Sequence, residues 1–240
     1  MKILIAVAKT NKFSSAESGD TLEVIERPAG GVSVVLADGQ TFGHSSKAIS
    51  SLVAHKVIQK LAQGERDWSA AKQAAEHLYS EHNGNFTAYL NILSVDLITS
   101  TLLITRNNPT PIIISHEGRV DSLLGESSPI GSTRDVQPVI SEIPLETGTT
   151  VVMFTDGLMY AGKQTQQVFD VRTYLEFLLE EQEISPERIA DSLLSEAIRL
   201  DHGSVRDDMS VVVLQIRHQE RNSIRRMSVT LPINIAYKSD

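Results

Sequence analysis

Residues 34–53 read VVLADGQTFGHSSKAISSLV, which predicts a strand, a loop of small residues and the start of a helix in succession. The strand begins at Val32 and is rich in β-branched residues, which favour extended backbone. We expect it to stop at Asp38-Gly39, a dipeptide common in turns. The helix is predicted over Ser46–Gln63, because its apolar side chains recur at helical spacing. The stretch therefore places a carboxylate where a buried strand meets a helix.

Two further carboxylate sites lie at the ends of apolar strands. Asp156-Gly157 follows the run TTVVMFT, and Asp207-Asp208 precedes MSVVVLQI. Central strands of one sheet can bring such ends together, and carboxylates gathered at one edge repel each other unless a cation neutralises them. Oxygen ligands suit Mg²⁺ or Mn²⁺. Each Asp-Gly pair taken alone is more often a plain turn, so the metal hypothesis rests on the combination.

The order of the remaining elements predicts the fold class. Strands are followed by two helices, many strands, two helices and a last strand, without βαβα alternation. This order favours an α+β fold with antiparallel sheets, and so many strands favour two sheets packed face to face with helices outside them. The other predicted strands are Met1–Ala8, Thr21–Arg27, Tyr89–Asp96, Thr101–Arg106, Thr110–Ser115, Val120–Leu124, Val136–Ile143, Thr149–Thr155 and Met209–Ile216. The other predicted helices run from the N-cap Ser69 to Glu81, over Val171–Gln182, and over Pro186–Leu200 with Ser185 as N-cap.

Composition limits the classes of function. The chain has 240 residues, 41% of them hydrophobic, which suffices for one large core. The net charge of −8 argues against a nucleic-acid binder, and the lack of cysteine excludes disulfides, thiolate metal sites and a cysteine nucleophile. The first apolar run is too short for a signal peptide and no stretch reaches the length of a membrane span. We therefore expect a cytoplasmic protein that binds neither nucleic acid nor membrane.

Six stretches, taken in order, resemble the metal-dependent serine/threonine phosphatases of the PPM or type 2C class, and above all the bacterial branch that regulates stress response and sporulation. VVLADGQTFGHSSKAISSLV resembles the first metal motif, TTVVMFTDGLMYAGK the second and GSVRDDMSVVVL the last. SAESGDTLEV is similar to an early Ser-Gly-Asp segment, NILSVDLITSTLLITRNNPTPIII to the hairpin between the first two metal motifs, and SPIG also fits. The resemblance covers about residues 15–216. It implies a four-layer α/β/β/α sandwich, with helices on both outer faces of two antiparallel sheets.

The resemblance also implies two bound divalent cations, Mn²⁺ or Mg²⁺. Asp38 matches the carboxylate that bridges both ions, and Gly39 matches the residue whose backbone carbonyl joins them. Asp156 and Asp207 match the other metal carboxylates. A water held between two such ions has a lowered pKa and supplies a hydroxide that attacks phosphorus. The three aspartates Asp38, Asp156 and Asp207 are therefore expected to act through that water.

Two more acidic residues match positions in the same pattern. Asp20 matches the early acidic position that also contributes to the metal site, and Asp208 matches a residue that supports the ligands from behind.

The chain departs from the family pattern around the first motif. Some members have a histidine, a candidate general acid, where this chain has Gln40, and most have a glycine where it has Thr41, although Gly43 matches. His44 lies nearby, but a lone loop histidine is more often solvated than catalytic. The arginine that binds phosphate in some members has no clear counterpart. The sequence therefore assigns no residue to proton donation or to phosphate binding.

The resemblance implies a protein phosphatase whose substrate is a phosphorylated regulator, such as an anti-sigma antagonist in a stress-signalling partner switch. Two alternatives stay open. A phosphatase-like domain that binds a partner without turnover would also keep the carboxylates. A hydrolase of nucleotide or sugar phosphates is the other, although the chain lacks the glycine-rich phosphate loop of the P-loop type.

The last 24 residues differ from the rest of the chain. We predict a phosphatase domain over residues 1–216 and a C-terminal extension over residues 217–240, which is locally basic through four arginines. Within the extension, Val229–Ala236 (VTLPINIA) predicts one more strand, and Pro232 favours an edge position for it. The extension is expected to be an extra edge strand or a docking segment.

Overall fold

A computed structural model of the chain describes residues 1–15, 17–40, 45–181, 183–219 and 224–230. The strands are β1 (Lys2–Thr10), β2 (Asp20–Glu26), β3 (Val32–Gln40), β4 (Thr87–Asp96), β5 (Thr101–Asn107), β6 (Ile112–His116), β7 (Arg119–Leu123), β8 (Val139–Pro144), β9 (Thr150–Phe154) and β10 (Met209–Arg217). The helices are α1 (Ser45–Ala62), α2 (Asp67–His82), α3 (Asp156–Met159), α4 (Val171–Leu179) and α5 (Pro186–Leu200), and a 3₁₀ turn covers Lys163–Thr165.

The ten strands form two antiparallel sheets of five strands each. One sheet has the order β1-β10-β9-β6-β7 and the other has the order β2-β3-β4-β5-β8. Strands distant in sequence become neighbours, because β10 pairs with β1 along its whole length, from Lys2↔Arg217 to Thr10↔Met209. This arrangement brings the third predicted carboxylate motif beside the N-terminal strand.

Three apolar clusters separate four layers. The cluster around Leu36, Leu93 and Met153 fills the space between the two sheets. A second cluster joins the outer face of the β2–β8 sheet to α1 and α2, and a third joins the outer face of the β1–β7 sheet to α3, α4 and α5. The α/β/β/α sandwich predicted from the sequence is therefore confirmed.

The start of α2 differs from the prediction. The helix begins at Asp67 with Arg66 as N-cap, whereas Ser69 lies in the first turn and its hydroxyl donates to Glu65. Asp67 is buried and forms a salt bridge with Arg27 at 2.7 Å. This contact crosses 40 positions of sequence, so a local capping preference could not reveal it. By contrast, Ser185 caps α5 as predicted, because its hydroxyl accepts from the backbone of Arg188.

Most other strand and helix boundaries differ from the prediction by one or two residues, and the larger differences concern β3, β8 and α4. β3 continues through Asp38 and Gly39 to Gln40, β8 begins at Val139 rather than Val136, and α4 ends at Leu179. The four-residue helix α3, which starts at the second Asp-Gly pair, was not predicted.

Part of the predicted tail strand, residues 231–236, lies outside the described residues. Among the helices of the described ranges, none combines the length and apolar character that crossing a membrane requires.

Candidate metal centre

All five predicted aspartates lie at one end of the sandwich. Asp20 and Asp38 are register partners on β2 and β3. Asp156 opens α3 two residues after the end of β9, while Asp207 and Asp208 immediately precede β10. The negative charges of the other four aspartates all act on Asp38. The fold therefore brings carboxylates from both sheets to one place, as the strand-end pattern predicted.

Asp20 is the most deeply buried of the five, at 1% exposure. Its Oδ2 accepts hydrogen bonds from the hydroxyls of Ser210 at 2.6 Å and Thr155 at 3.1 Å, whereas its Oδ1 is buried with no partner among the described residues. The ammonium groups of Lys9 and Lys47 both donate to the backbone carbonyl of Asp20, at 2.6 and 2.9 Å. Burial raises the pKa of Asp20 to about 6, which means that the pocket disfavours its negative charge.

Asp208 is held from two sides by backbone donors. Its Oδ1 accepts from the N–H of Lys12 at 3.0 Å, and its Oδ2 accepts from the N–H of Gly19 at 2.8 Å. Its own backbone N–H donates to the side chain of Asp207 at 2.9 Å. With both oxygens engaged and 6% exposure, Asp208 ties the β1–β2 loop to the start of β10. Its role as a residue that supports the metal ligands stays a prediction.

Asp38 and Asp156 are partly exposed, and their charges act on each other. Burial and the surrounding carboxylates raise the pKa of Asp38 to about 9, and burial with the nearby charge of Asp207 raises that of Asp156 to about 6. The fold alone therefore disfavours full ionisation of this pair.

The carboxylates do not form a closed coordination shell as they stand. Across the described ranges, no group of three His, Asp or Glu side chains is arranged to hold a metal ion. Their chemistry nevertheless fits a hard divalent cation, because every donor is an oxygen. The buried, unpaired Oδ1 of Asp20 and the raised pKa values of Asp38 and Asp156 fit a site that binds positive charge.

The two Asp-Gly pairs are close-approach sites rather than turns. A Cβ at Gly39 would lie 2.1 Å from the backbone oxygen of Ser46 in α1, and a Cβ at Gly157 would lie 2.2 Å from that of Asp208. Glycine at each position lets a neighbouring backbone pack directly against the carboxylate-bearing segment. The reason for each glycine is therefore tertiary packing, which the dipeptide alone did not reveal.

Sequence reasoning missed a tyrosine at the same edge. Tyr89 on β4 is the register partner of Asp38 and is partly buried. Burial and the charges of Asp156, Tyr160 and Asp38 raise its pKa, so its phenol keeps its proton near neutral pH. Tyr160 is 51% exposed and its ring lies 4.8 Å from the ammonium of Lys163.

Of the residues that depart from the family pattern or lie beside it, the structure describes only Gln40. The amide of Gln40 donates to Oδ2 of Asp38 at 2.6 Å, so this residue fixes a carboxylate and has no acidic proton to deliver. Thr41, Gly43 and His44 lie outside the described residues.

Comparison with known proteins gives one clear family. The sequence model of the stage II sporulation protein E (SpoIIE) family matches residues 28–217. Stage II sporulation protein E of Priestia megaterium is 24% identical over 213 residues, which cover 88% of this chain and 36% of that protein. The chain thus spans about a third of the length of this curated relative.

Solved structures agree with this match at the level of the fold. The structure of the PP2C phosphatase domain and a fragment of the regulatory domain of SpoIIE from Bacillus subtilis superposes with a TM-score of 0.78 at 22% identity, covering 90% of this chain and 64% of that one. RsbX in complex with magnesium gives a TM-score of 0.68 at 19% identity, covering 89% of this chain and 94% of that one.

Proposed function

The chain belongs to the stage II sporulation protein E family, and from this premise we propose that it is a metal-dependent phosphatase for phosphoserine or phosphothreonine in a partner protein. The observation that carries the proposal is the gathering of five aspartates, from both sheets, at one end of the sandwich, where burial and the charges of the other four raise the pKa of Asp38. Such a cluster needs added positive charge to become fully ionised.

We assign the cation ligands to the residues at the outer part of the site. Asp38, Asp156 and Asp207 would hold the cations through their carboxylates, and Gly39 would contribute its backbone carbonyl. Asp20, with one unpaired oxygen, would contribute from within. Bound Mn²⁺ or Mg²⁺ would lower the pKa of a water and offset charge on the phosphoryl oxygens.

The remaining residues of the site position these groups. Asp208 holds the β1–β2 loop against the start of β10 through its two backbone hydrogen bonds. Gln40 fixes the orientation of Asp38. Lys9 and Lys47 place positive charge on the inner side of Asp20, where it reduces the repulsion among the carboxylates.

We further propose that the substrate is a phosphorylated regulator of a sigma-factor or stress-signalling switch, such as an anti-sigma antagonist. The support is the resemblance to the sporulation and stress-response phosphatases together with the SpoIIE family match. Incubation with such phosphorylated regulators from the same genome should release phosphate. A complete lack of release from all of them would remove this partner from consideration.

The function is tested by hydrolysis of a generic phenyl phosphate and a phosphoserine peptide with Mn²⁺, with Mg²⁺ and with EDTA. We expect cation-dependent turnover that is lost in Asp38→Asn and retained in Asp121→Asn, an exposed carboxylate on β7 outside the cluster. Preference for a nucleotide or sugar phosphate over the peptide in the same assay would favour the other hydrolase class.

A partner-binding domain without turnover is the second candidate. It is favoured by Gln40, which stands where a proton donor is found in some members and is committed to Asp38. Folded protein that binds Mn²⁺ but hydrolyses neither ester would support this candidate over the enzyme.

A further inference from the structure

Tyr89 lies at the site but belongs neither to the proposed cation ligands nor to the residues that position them. It lies directly opposite Asp38 in the antiparallel pair of β3 and β4. Side chains of directly opposite residues in such a pair project from the same face of the sheet, which for Asp38 is the face that meets the other sheet's carboxylates. The phenol therefore lies beside the cluster on its β4 side.

Asp156, Tyr160 and Asp38 act electrostatically on the phenol of Tyr89. Within the described part of the chain, none of these or other residues forms a hydrogen bond with the hydroxyl. A partly buried O–H donor that faces an acidic site without a partner is available for a ligand.

Three donors beside the cluster already have protein partners. Gln40 donates to Asp38, and Lys9 and Lys47 donate to the backbone of Asp20. Tyr89 on β4 can by contrast meet an incoming anion without first breaking a hydrogen bond to any of the described residues.

We propose that the hydroxyl of Tyr89 donates a hydrogen bond to a non-bridging oxygen of the phosphoryl group and orients it against the edge formed by Asp38 and Asp156. This inference rests on the proposed phosphatase function, because it names the residue that holds the reacting group of that substrate. The ligand class is a tetrahedral oxyanion, either a phosphate ester or free phosphate. Bound cations would let the anion approach, and Tyr89 would fix its rotation.

The test compares wild type, Tyr89→Phe and Tyr174→Phe, all loaded with Mn²⁺. Tyr174 lies on α4 near Glu196 and Arg199, so its variant removes a phenol hydroxyl that lies outside the aspartate cluster. Calorimetric titration with inorganic phosphate gives the affinity for the anion, and a separate Mn²⁺ titration gives the affinity for the cation. Turnover of a phosphoserine peptide is measured in parallel.

We expect Tyr89→Phe to bind phosphate at least about 10-fold more weakly, the usual consequence of losing a hydrogen bond to a charged group. The kcat/KM for the peptide should fall by a similar factor, while Mn²⁺ affinity stays within about 2-fold. Tyr174→Phe should match wild type in all three measurements.

Unchanged phosphate affinity in Tyr89→Phe would overturn the inference, as would an equal loss of Mn²⁺ affinity, which would place Tyr89 in the cation site. The proposed function can fail separately. Wild type that binds phosphate through Tyr89 but hydrolyses no ester would overturn the phosphatase proposal and support the anion-binding role.

Discussion

The inner and outer carboxylates of the site differ in what satisfies them. Asp208, on the inner side, is buried and receives two backbone N–H groups, and one oxygen of Asp20 receives two hydroxyls. Asp38 and Asp156, on the outer side, are more exposed, and burial together with neighbouring carboxylates raises the pKa of each. The inner pair is bound into the fold by protein donors, whereas the outer pair depends on a proton or on a cation from outside.

One cluster of aspartates can therefore serve both the stability of the fold and the binding of a cation. The inner residues contribute to stability, since removing an acceptor leaves buried N–H donors unpaired. The outer residues cost stability in the absence of a cation, since their charges repel each other in a partly desolvated place. In the absence of a cation, substitutions of the inner pair should therefore lower the stability of the fold, and substitutions of the outer pair should not.

The largest effect is expected for Asp38→Asn. Replacing a residue that only hydrogen-bonds to a metal ligand typically costs roughly 10–100-fold in affinity or activity. Loss of Asp38, a proposed direct ligand, should therefore reduce Mn²⁺ affinity and turnover by more than about 100-fold. The melting temperature in EDTA should stay the same or rise, because a mutually repelling carboxylate is gone. A clear fall in that melting temperature would show that Asp38 belongs with the inner residues.

The next largest effect is expected for Asp208→Ala. The variant leaves the N–H groups of Lys12 and Gly19 without their acceptor, which should lower the free energy of unfolding by about 2–3 kcal/mol. Asp208→Asn is the matched control, because it keeps one acceptor oxygen and should lose less. Equal stability of wild type and Asp208→Ala in urea unfolding would contradict the distinction between the pairs.

The outer pair also predicts a pH dependence of the cation-free protein. The pKa of Asp38 is raised from 3.8 to about 9 in the folded state, so the folded chain binds more protons than the unfolded chain between these values. Stability in EDTA should therefore decrease as pH rises from about 4 towards 9. Asp38→Asn should reduce this slope, and saturating Mg²⁺ should reduce it too. Thermal unfolding across that pH range is the measurement, and a stability that increases with pH would contradict the assignment.

The smallest effect on chemistry is expected for removal of the tail. We keep the division into residues 1–216 and 217–240 as a prediction, and within the described part of the tail Arg225 pairs with Glu26 on the surface at 3.1 Å. Deletion of Met227–Asp240 should change partner recognition or solubility and leave turnover of a small phosphate ester within about 2-fold, since it removes none of the five aspartates and keeps the Arg225–Glu26 ion pair, which is exposed and contributes little. Loss of Mn²⁺ binding in the deletion variant would contradict this separation.

The sequence predicted the sandwich and the strand-end carboxylates because both follow from local patterns. Alternating strands, helical stripes and a carboxylate at the end of an apolar run are visible in short windows. The start of α2 at Asp67 and the packing of Gly39 on α1 were not predictable in this way, because each depends on a contact between distant segments. Tyr89 was missed for the same reason, since only the pairing of β3 with β4 places it opposite Asp38.

The most direct test of the account is calorimetric titration of wild type and Asp38→Asn with Mn²⁺ at pH 7, in buffers with different heats of ionisation. Because the pKa of Asp38 is raised to about 9 in the cation-free site, wild type should release about one proton on binding. The variant should bind far more weakly and release none. Binding that is absent in folded wild type, or that is unaffected by the substitution, would contradict the assignment of this edge as the cation site.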